Sequence, residues 1–421
     1  MFFYRSLRES VFLHWARGSQ AHFNTKIHES RVIVRDLLVS LERNSLLILS
    51  RILVYLGVVG LFFSQALQNF LIIGPLLVLF SRPLRKSLLQ ISIDPVCVSI
   101  SFFLLYVLIG CLYSTAPPLS IFHQVRKYLT HYPLIPFYFI LFSKQSSREK
   151  LLNFILFTSL FFSLFCVFFQ HPRHFDPQEI SVLLAVCCFF SMQKIIISNS
   201  IGIKILLLSC IFLLFYTLVY TVNERVGMVI AFFAVAYIFF AYFDRKKFFM
   251  SLIALLAGCI LLFFFHLLPS KFYVMLSEYH AYIRTGALSS IGIRLAQLHH
   301  LKHLFLNQPI IGYGTGFFSS LGGPSHISSR FHIFENSFAE ILLQNGVIGL
   351  FLFVVFLFVF YMQSSLLSMH NKIFFKFTII AFILSSFSFP VLVLPSVGMH
   401  VFCLITSVCY SEIYSSDKTA R

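Results

Sequence analysis

The chain is 421 residues long, 58% hydrophobic and only 11% charged, with a formal net charge of +17 at pH 7 and a mean hydropathy of +0.87. Soluble domains carry roughly 25% charged residues, so these proportions exclude a water-facing surface; the apolar residues instead fall in blocks of roughly 20, which as helix cross a ~30 Å hydrocarbon core. The positive charge sits in short loops between the blocks, which points to lipid headgroups and topology and away from a nucleic-acid partner.

In chain order, residues 1–45 read as a cytoplasmic arm. There Ile33, Val34, Leu37, Leu38 and Leu41 share one helical face away from Arg35, Asp36, Glu42 and Arg43, the pattern of an amphipathic helix on the membrane surface; a poorly ordered basic arm is the alternative. The rest, 46–421, is expected to be an all-α transmembrane domain of about twelve spans. They are placed at 46–63, 64–81, 95–113, 128–143, 151–169, 179–194, 205–222, 226–243, 248–267, 338–361, 374–392 and 396–413. A tight turn near Ser64 joins the first two, and Pro133 and Pro136 interrupt the fourth. Continuous runs such as residues 350–360 exclude the alternating strands of a membrane barrel. Most Lys and Arg fall in segments that share a side with the N-terminus, which puts both termini in the cytoplasm.

Residues 268–336 form one long external loop of about 70 residues, expected to be partly helical and functional. Nine cysteines lie in or at the ends of apolar blocks with no Cys-x-x-Cys, so neither a disulfide framework nor a zinc site is expected. His299 and His303 have the i, i+4 spacing of zinc ligands, but the intervening sequence lacks the Glu of a His-Glu-x-x-His site and contains Lys302; no metal is expected there.

Three external stretches carry candidate chemistry. The first, 221–227, places Glu224 and Arg225 at the membrane surface between two spans, where charge is costly unless paired or functional; a boundary ion pair ending two helices is the plain alternative. The second runs from Arg294 to the Pro309-x-x-Gly312-x-Gly314 turn. Without a preceding strand this is no dinucleotide fingerprint, and it reads as a turn that brings backbone close to the membrane surface. A solvated Arg294 paired with Glu278 is the alternative for that arginine. The third is Glu335-Asn336-Ser337 with Glu340, then Gly346 and Gly349. Ser337 and Glu340 read as a capping box that starts the tenth span and makes Glu340 structural. That leaves Glu335 and Asn336 at an anion-favouring helix start. Gly346 and Gly349 read as a close-packing pair.

In this order the motifs resemble the O-antigen ligase and polymerase superfamily. Arg225 matches its first arginine and Arg294 its second; Pro309, Gly312 and Gly314 match its loop motif; Asn336 and Gly346 match its last motif with the nine-residue gap intact. Glu335 stands where the ligases have His, and Asn223-Glu224 where they often have a small residue and Ser. The strong resemblance covers about 205–361. It implies a membrane glycosyltransferase of the bacterial inner membrane with a periplasmic active site. The donor would be a glycan on undecaprenyl diphosphate and the acceptor a lipid A-core sugar, with no soluble cofactor. Arg225 and Arg294 would clamp the diphosphate, and Glu335 would take the acceptor proton, its pKa brought toward the useful range by burial at the interface. Asn336, Gly312 and Gly314 would belong to the substrate site. A polymerase that passes the chain to a lipid-linked repeat, or a protein glycosylase, shares the same donor site. A transporter or flippase for lipid-linked sugars is the reading from another class. It predicts ionisable groups near mid-membrane, whereas here the spans are nearly free of charge away from their ends.

Overall fold

The computed structural model describes residues 45–169, 177–222, 225–242, 277, 300–317, 336–387 and 397–414, and all regular structure among them is helical. α1 (Ser45–Phe63) is a continuous apolar run. Ser64 stops it and starts α2 (Gln65–Gln68) by accepting a hydrogen bond from Leu67 N at 3.5 Å. α3 (Phe70–Leu76) passes through a 3-10 turn, Leu77–Phe80, into α4 (Arg82–Ile91). A Cβ on Gly60 would sit 2.2 Å from Gln68 N, so only glycine lets α1 and α2 approach this closely.

Asp94 opens α5 (Pro95–Gly110), accepting from Val96 N at 3.0 Å. α6 (Pro118–His131) is amphipathic; the 3-10 turn Tyr132–Leu134 separates it from α7 (Ile135–Leu141). Four longer helices follow: α8 (Gln145–Phe169), α9 (Pro177–Ile197), α10 (Ile201–Tyr216) and α11 (Arg225–Tyr242), with a π-helical turn, Thr217–Val222, closing α10. α12 (Ser337–Gln363), α13 (Met369–Ser386) and α14 (Val397–Tyr410) complete the set. Stacked and tilted aromatics fill the core, such as Phe189 on Phe377 with centroids 3.8 Å apart and Phe103 against Phe353 at 5.1 Å.

Hydrogen bonds define two ends of the bundle. At one, Arg51 Nε donates to Leu141 O (2.7 Å) and Arg148 Nη1 to Ser143 O (2.5 Å), which satisfies carbonyls at the end of α7. There too Tyr410 and Tyr414 donate to the Asp94 carboxylate at 2.9 and 2.6 Å, and Asn371 Nδ2 donates to Glu412 at 2.7 Å. A cavity of about 520 Å³ at this end is lined by Arg148, Lys194, His370 and Glu412 among others. The opposite end gathers the tips of α5 and α6, the start of α12 and the loop 309–317.

Five helices are long and apolar enough to cross a membrane among the described residues: Ser45–Phe63, Gln145–Phe168, Ile180–Ile197, Ile201–Val222 and Ser337–Leu366. A sixth counts if Ala66–Phe80 and Arg82–Ile91, bent by 106°, form one broken span. The outward side chains are apolar, with Phe212 at 76% exposure and Phe168 at 74%, as a lipid-facing surface requires. The protein is therefore a helical membrane protein, and five or six of the expected twelve spans are shown at full length among the described residues. The 64–81 block breaks into short pieces at Asn69 and Leu77, and the 128–143 block breaks at Tyr132–Leu134, beside Pro133. Pro95–Gly110, Val226–Tyr242 and Met399–Tyr414 are shorter apolar helices. The expected ninth span, 248–267, lies outside the described residues, as do the N-terminal arm and most of the long loop.

Candidate functional site

The site is built around a broken helix. Gly346 in α12 has φ 62° and ψ −167°, a combination open essentially to glycine alone, so the helix ladder stops there and exposes free carbonyls and N–H groups on either side. The loop 309–317 supplies their partners. Tyr313 N donates to Leu343 O (3.0 Å) and Gly314 N to Gln344 O (2.8 Å), while Val347 N donates to Pro309 O (2.9 Å) and Ile348 N to Ile310 O (3.3 Å). Buried backbone polar groups must be paired inside a membrane protein, and this crossing pairs them.

Close approach explains the glycine spacing. Gly312, Gly314 and Gly316 all have positive φ. An added Cβ would lie 2.5 Å from Gly346 N at Gly312, 2.3 Å from Ser114 Cα at Gly314, and 2.7 Å from Ile121 Cα at Gly316. The loop is thus wedged between α12, the end of α5 and the start of α6. Side chains fasten it: Thr315 Oγ1 donates to Val107 O at 2.7 Å, Ser114 Oγ to Thr315 O at 2.8 Å and Tyr113 OH to Ile311 O at 2.7 Å. Tyr313 stacks on Phe317 with centroids 4.3 Å apart and donates to Leu304 O, which ties in the helical segment 300–307.

Beside the crossing lies a buried polar chain. Gln124 Nε2 on α6 donates to Glu340 Oε1 at 2.9 Å; Gln344 Nε2 donates to the same oxygen at 3.3 Å; Gly316 N donates to Gln344 Oε1 at 3.3 Å. Glu340 is 2% exposed and Gln124 0%. Glu340 Oε2 and Gln124 Oε1 are buried without a hydrogen-bond partner among the described residues, a condition that costs about 1–3 kcal/mol per group.

Two sequence expectations are corrected here. The cap of α12 is Asn336, whose Oδ1 accepts from Phe338 N (2.9 Å) and Ala339 N (3.0 Å) while Nδ2 donates to Phe387 O (3.3 Å). Asparagine is among the strongest caps, so Ser337 falls inside the helix. Glu340 then bonds across to α6 instead of closing a capping box. Gly346 is a backbone break packed against the loop and not against a helix; of that pair Gly349 faces a neighbouring helix, its Cβ position lying 3.3 Å from Tyr106 of α5.

Of the expected site residues, the structure brings Gly312, Gly314 and Asn336 to one end of the bundle. The backbone of Arg225 opens α11 directly after the π-helical turn and Asn223-Glu224. It lies two residues before Gly227, whose Cβ position is 2.4 Å from Ser181 Cβ of α9. Arg294, Glu335 and Glu278 lie outside the described residues. Among the described residues no group of three or more His, Cys, Asp or Glu is placed to hold a metal ion. Sequence reasoning missed Gln124 and set Glu340 aside. The available signal was polar spacing on apolar helices, Glu340 with Gln344 and Gln124 with Tyr128 and His131.

Comparison with known families finds one match: residues 208–354 match the family model described as O-antigen ligase. Over that stretch, about a third of the chain, the sequence is similar to O-antigen ligases, membrane enzymes of glycosyltransferase type. No curated protein matches the chain.

Proposed function

We propose that the enzyme transfers a glycan from undecaprenyl diphosphate to a hydroxyl of a lipid A-core sugar, at the periplasmic face of the bacterial inner membrane. The acceptor hydroxyl attacks the anomeric carbon, and the bond from that carbon to the diphosphate oxygen breaks with its electron pair leaving on the diphosphate. Arg225 and Arg294 clamp the departing diphosphate; a guanidinium stays charged and makes bidentate contacts to phosphate oxygens beside a low-dielectric membrane. Glu335 receives the proton of the attacking hydroxyl. Asn336, Gly312 and Gly314 shape the substrate site through the backbone they hold. No cofactor or metal enters this scheme.

The observation that supports this reading is the threading of the Gly312–Gly314 loop across the break at Gly346. That crossing ties the stretch following Arg294 to the helix following Glu335, at the end of the bundle where Arg225 opens α11. Arg225→Ala and Arg294→Ala are each expected to lower glycan transfer in membranes by about 100-fold at unchanged protein level; activity near normal would remove that arginine from the site. The acceptor is read from a deletion strain. Accumulation of lipid-linked polymer with rough lipopolysaccharide marks a ligase, and absence of polymer marks a polymerase.

A further inference from the structure

At the end of the bundle opposite the helix break, the cavity of about 520 Å³ lies where spans leave the hydrocarbon. The first turn of α8, the last turn of α9 and the start of α13 bound it, and its volume falls in the ~300–1,000 Å³ range of small-molecule sites. Three of its polar side chains are already engaged. Arg148 Nη1 donates to Ser143 O at 2.5 Å. Glu412 accepts from Ser368 N and Oγ, both at 3.1 Å, and from Asn371 Nδ2 at 2.7 Å. His370 Nδ1 lies 3.1 Å from Tyr242 OH. The remaining two charges, Lys194 and Glu149, are held differently. Lys194 on α9 reaches over the Phe190 ring, 5.3 Å from its centroid, and Glu149 on α8 accepts from Gln145 Nε2 of its own helix at 2.8 Å. Both line the cavity, yet among the described residues neither makes an ion pair, with the other or with any other group. Opposite charges that face one cavity without touching leave room for a ligand that carries both signs.

We propose that this cavity binds a phosphoethanolamine group, the headgroup of a phospholipid from the leaflet at that end, with its phosphate against Lys194 and its ammonium against Glu149. Each contact is a charge-assisted hydrogen bond, and each needs the sign that the side chain supplies. Basic pockets between spans suit purely anionic headgroups, but this lining also holds the Glu149 and Glu412 carboxylates, which such a headgroup would meet without offering them a donor. A primary ammonium offers three N–H donors to a carboxylate, and a trimethylated one offers none. The depth profile favours a lipid over a soluble zwitterion. Leu152 and Phe190, both 7% exposed, line the same cavity one helical turn deeper than Arg148 and Lys194 respectively. Charge therefore sits at headgroup level with apolar surface beneath it, the order in which a phospholipid presents its own parts. The site is remote from the Gly346 crossing and stands independently of the glycan-transfer reading.

The test titrates the full chain, purified in detergent and stripped of lipid, with phospholipids of identical acyl chains and ethanolamine, choline or glycerol headgroups. Native mass spectrometry reads the first lipid bound. The ethanolamine lipid is expected to bind about tenfold more tightly than either of the others. Glu149→Gln is expected to erase the preference over the choline lipid, and Lys194→Ala to weaken the ethanolamine lipid about tenfold. Glu149 is exposed and Lys194 partly so, so neither change removes a packed side chain, and the melting temperature without lipid is expected to stay at the wild-type value. Lys86→Ala, which removes an exposed cation of α4 outside the cavity, is expected to leave binding as it was. Soluble O-phosphoethanolamine is the competitor that separates the two sources of the group, and it is expected to displace the lipid only weakly because it lacks the chains. Equal binding of the three headgroups, or an ethanolamine preference that survives both cavity substitutions, overturns the site. Tighter binding of the glycerol lipid would mark a plain anion pocket, and displacement by O-phosphoethanolamine at the lipid's own Kd a soluble ligand; either result overturns the proposal as well.

Discussion

Gly346 carries more of the site than any other described residue, because one backbone conformation there creates the gap that the loop fills. Its φ of 62° with ψ −167° is open to glycine and strained for any L side chain, and an added Cβ would lie 2.1 Å from Ile310 O, a backbone atom that cannot swing aside. Gly346→Ala must therefore either expel the loop or straighten the helix, and either outcome unpairs Tyr313 N, Gly314 N, Val347 N and Ile348 N. The strain alone costs about 1–3 kcal/mol. The expected result is at least a tenfold loss of transfer activity together with faster proteolysis of the 300–317 segment. Gly202→Ala is the matched control, since its Cβ would meet nothing nearer than Ser200 Oγ at 4.0 Å. Equal activity in the two variants would mean that the crossing is dispensable.

Among the elements, α5 shows how one buried carboxylate fixes a helix in the bundle. Asp94 caps α5 through Val96 N and accepts from the hydroxyls of Tyr410, the last residue of α14, and Tyr414, just past its end. Asp94→Ala removes a cap worth about 1 kcal/mol and strands two buried hydroxyls, for a total of about 2–4 kcal/mol. Tyr414→Phe removes one partner at about 1 kcal/mol. Thermal unfolding in detergent is expected to rank wild type above Tyr414→Phe above Asp94→Ala, and coincident melting of the two variants would show that the carboxylate does not join the helices. Most helix positions are legible in the sequence because continuous apolar runs have one stable form in lipid; 46–63, 226–243 and 338–361 fall within two residues of the helices found. Breaks are less legible. Hydropathy averaged over a span does not register the turns at Asn69 or Leu77, nor the break at Gly346, although the Gln344-Asn345-Gly346 sequence there is a turn signal. The glycine and Asn336 motifs of the site are visible as spacing. The partnership of Gln124 with Glu340 is not, because the two are 216 positions apart and only the fold joins them.

At the scale of the whole molecule, the described basic residues are distributed unequally between the two ends of the bundle. The described basic side chains crowd the end marked by Asp94 and Glu412: Arg51, Arg82, Arg85, Lys86, Lys144, Arg148, Lys150, Lys194 and Lys372 lie in or beside segments that meet there. The site end has Arg126, Lys127 and Lys302 with the backbone of Arg225. Lys and Arg near span ends are retained on the cytoplasmic side, so the helix break is expected to face outward, where a glycan on a polyprenyl diphosphate would be presented for transfer to a core sugar. Exposed loop positions at the two ends test this. Ser200 follows α9 at the basic end and Thr115 follows α5 at the site end, and both are exposed. In a background with the native cysteines replaced, Thr115→Cys is expected to react with a membrane-impermeant maleimide in spheroplasts and Ser200→Cys only in inverted vesicles. The reversed pattern would put the Gly346 crossing in the cytoplasm, away from the proposed acceptor, and a lipid A-core sugar would have to be abandoned even though the fold and the likeness to O-antigen ligases over 208–354 would stand unchanged.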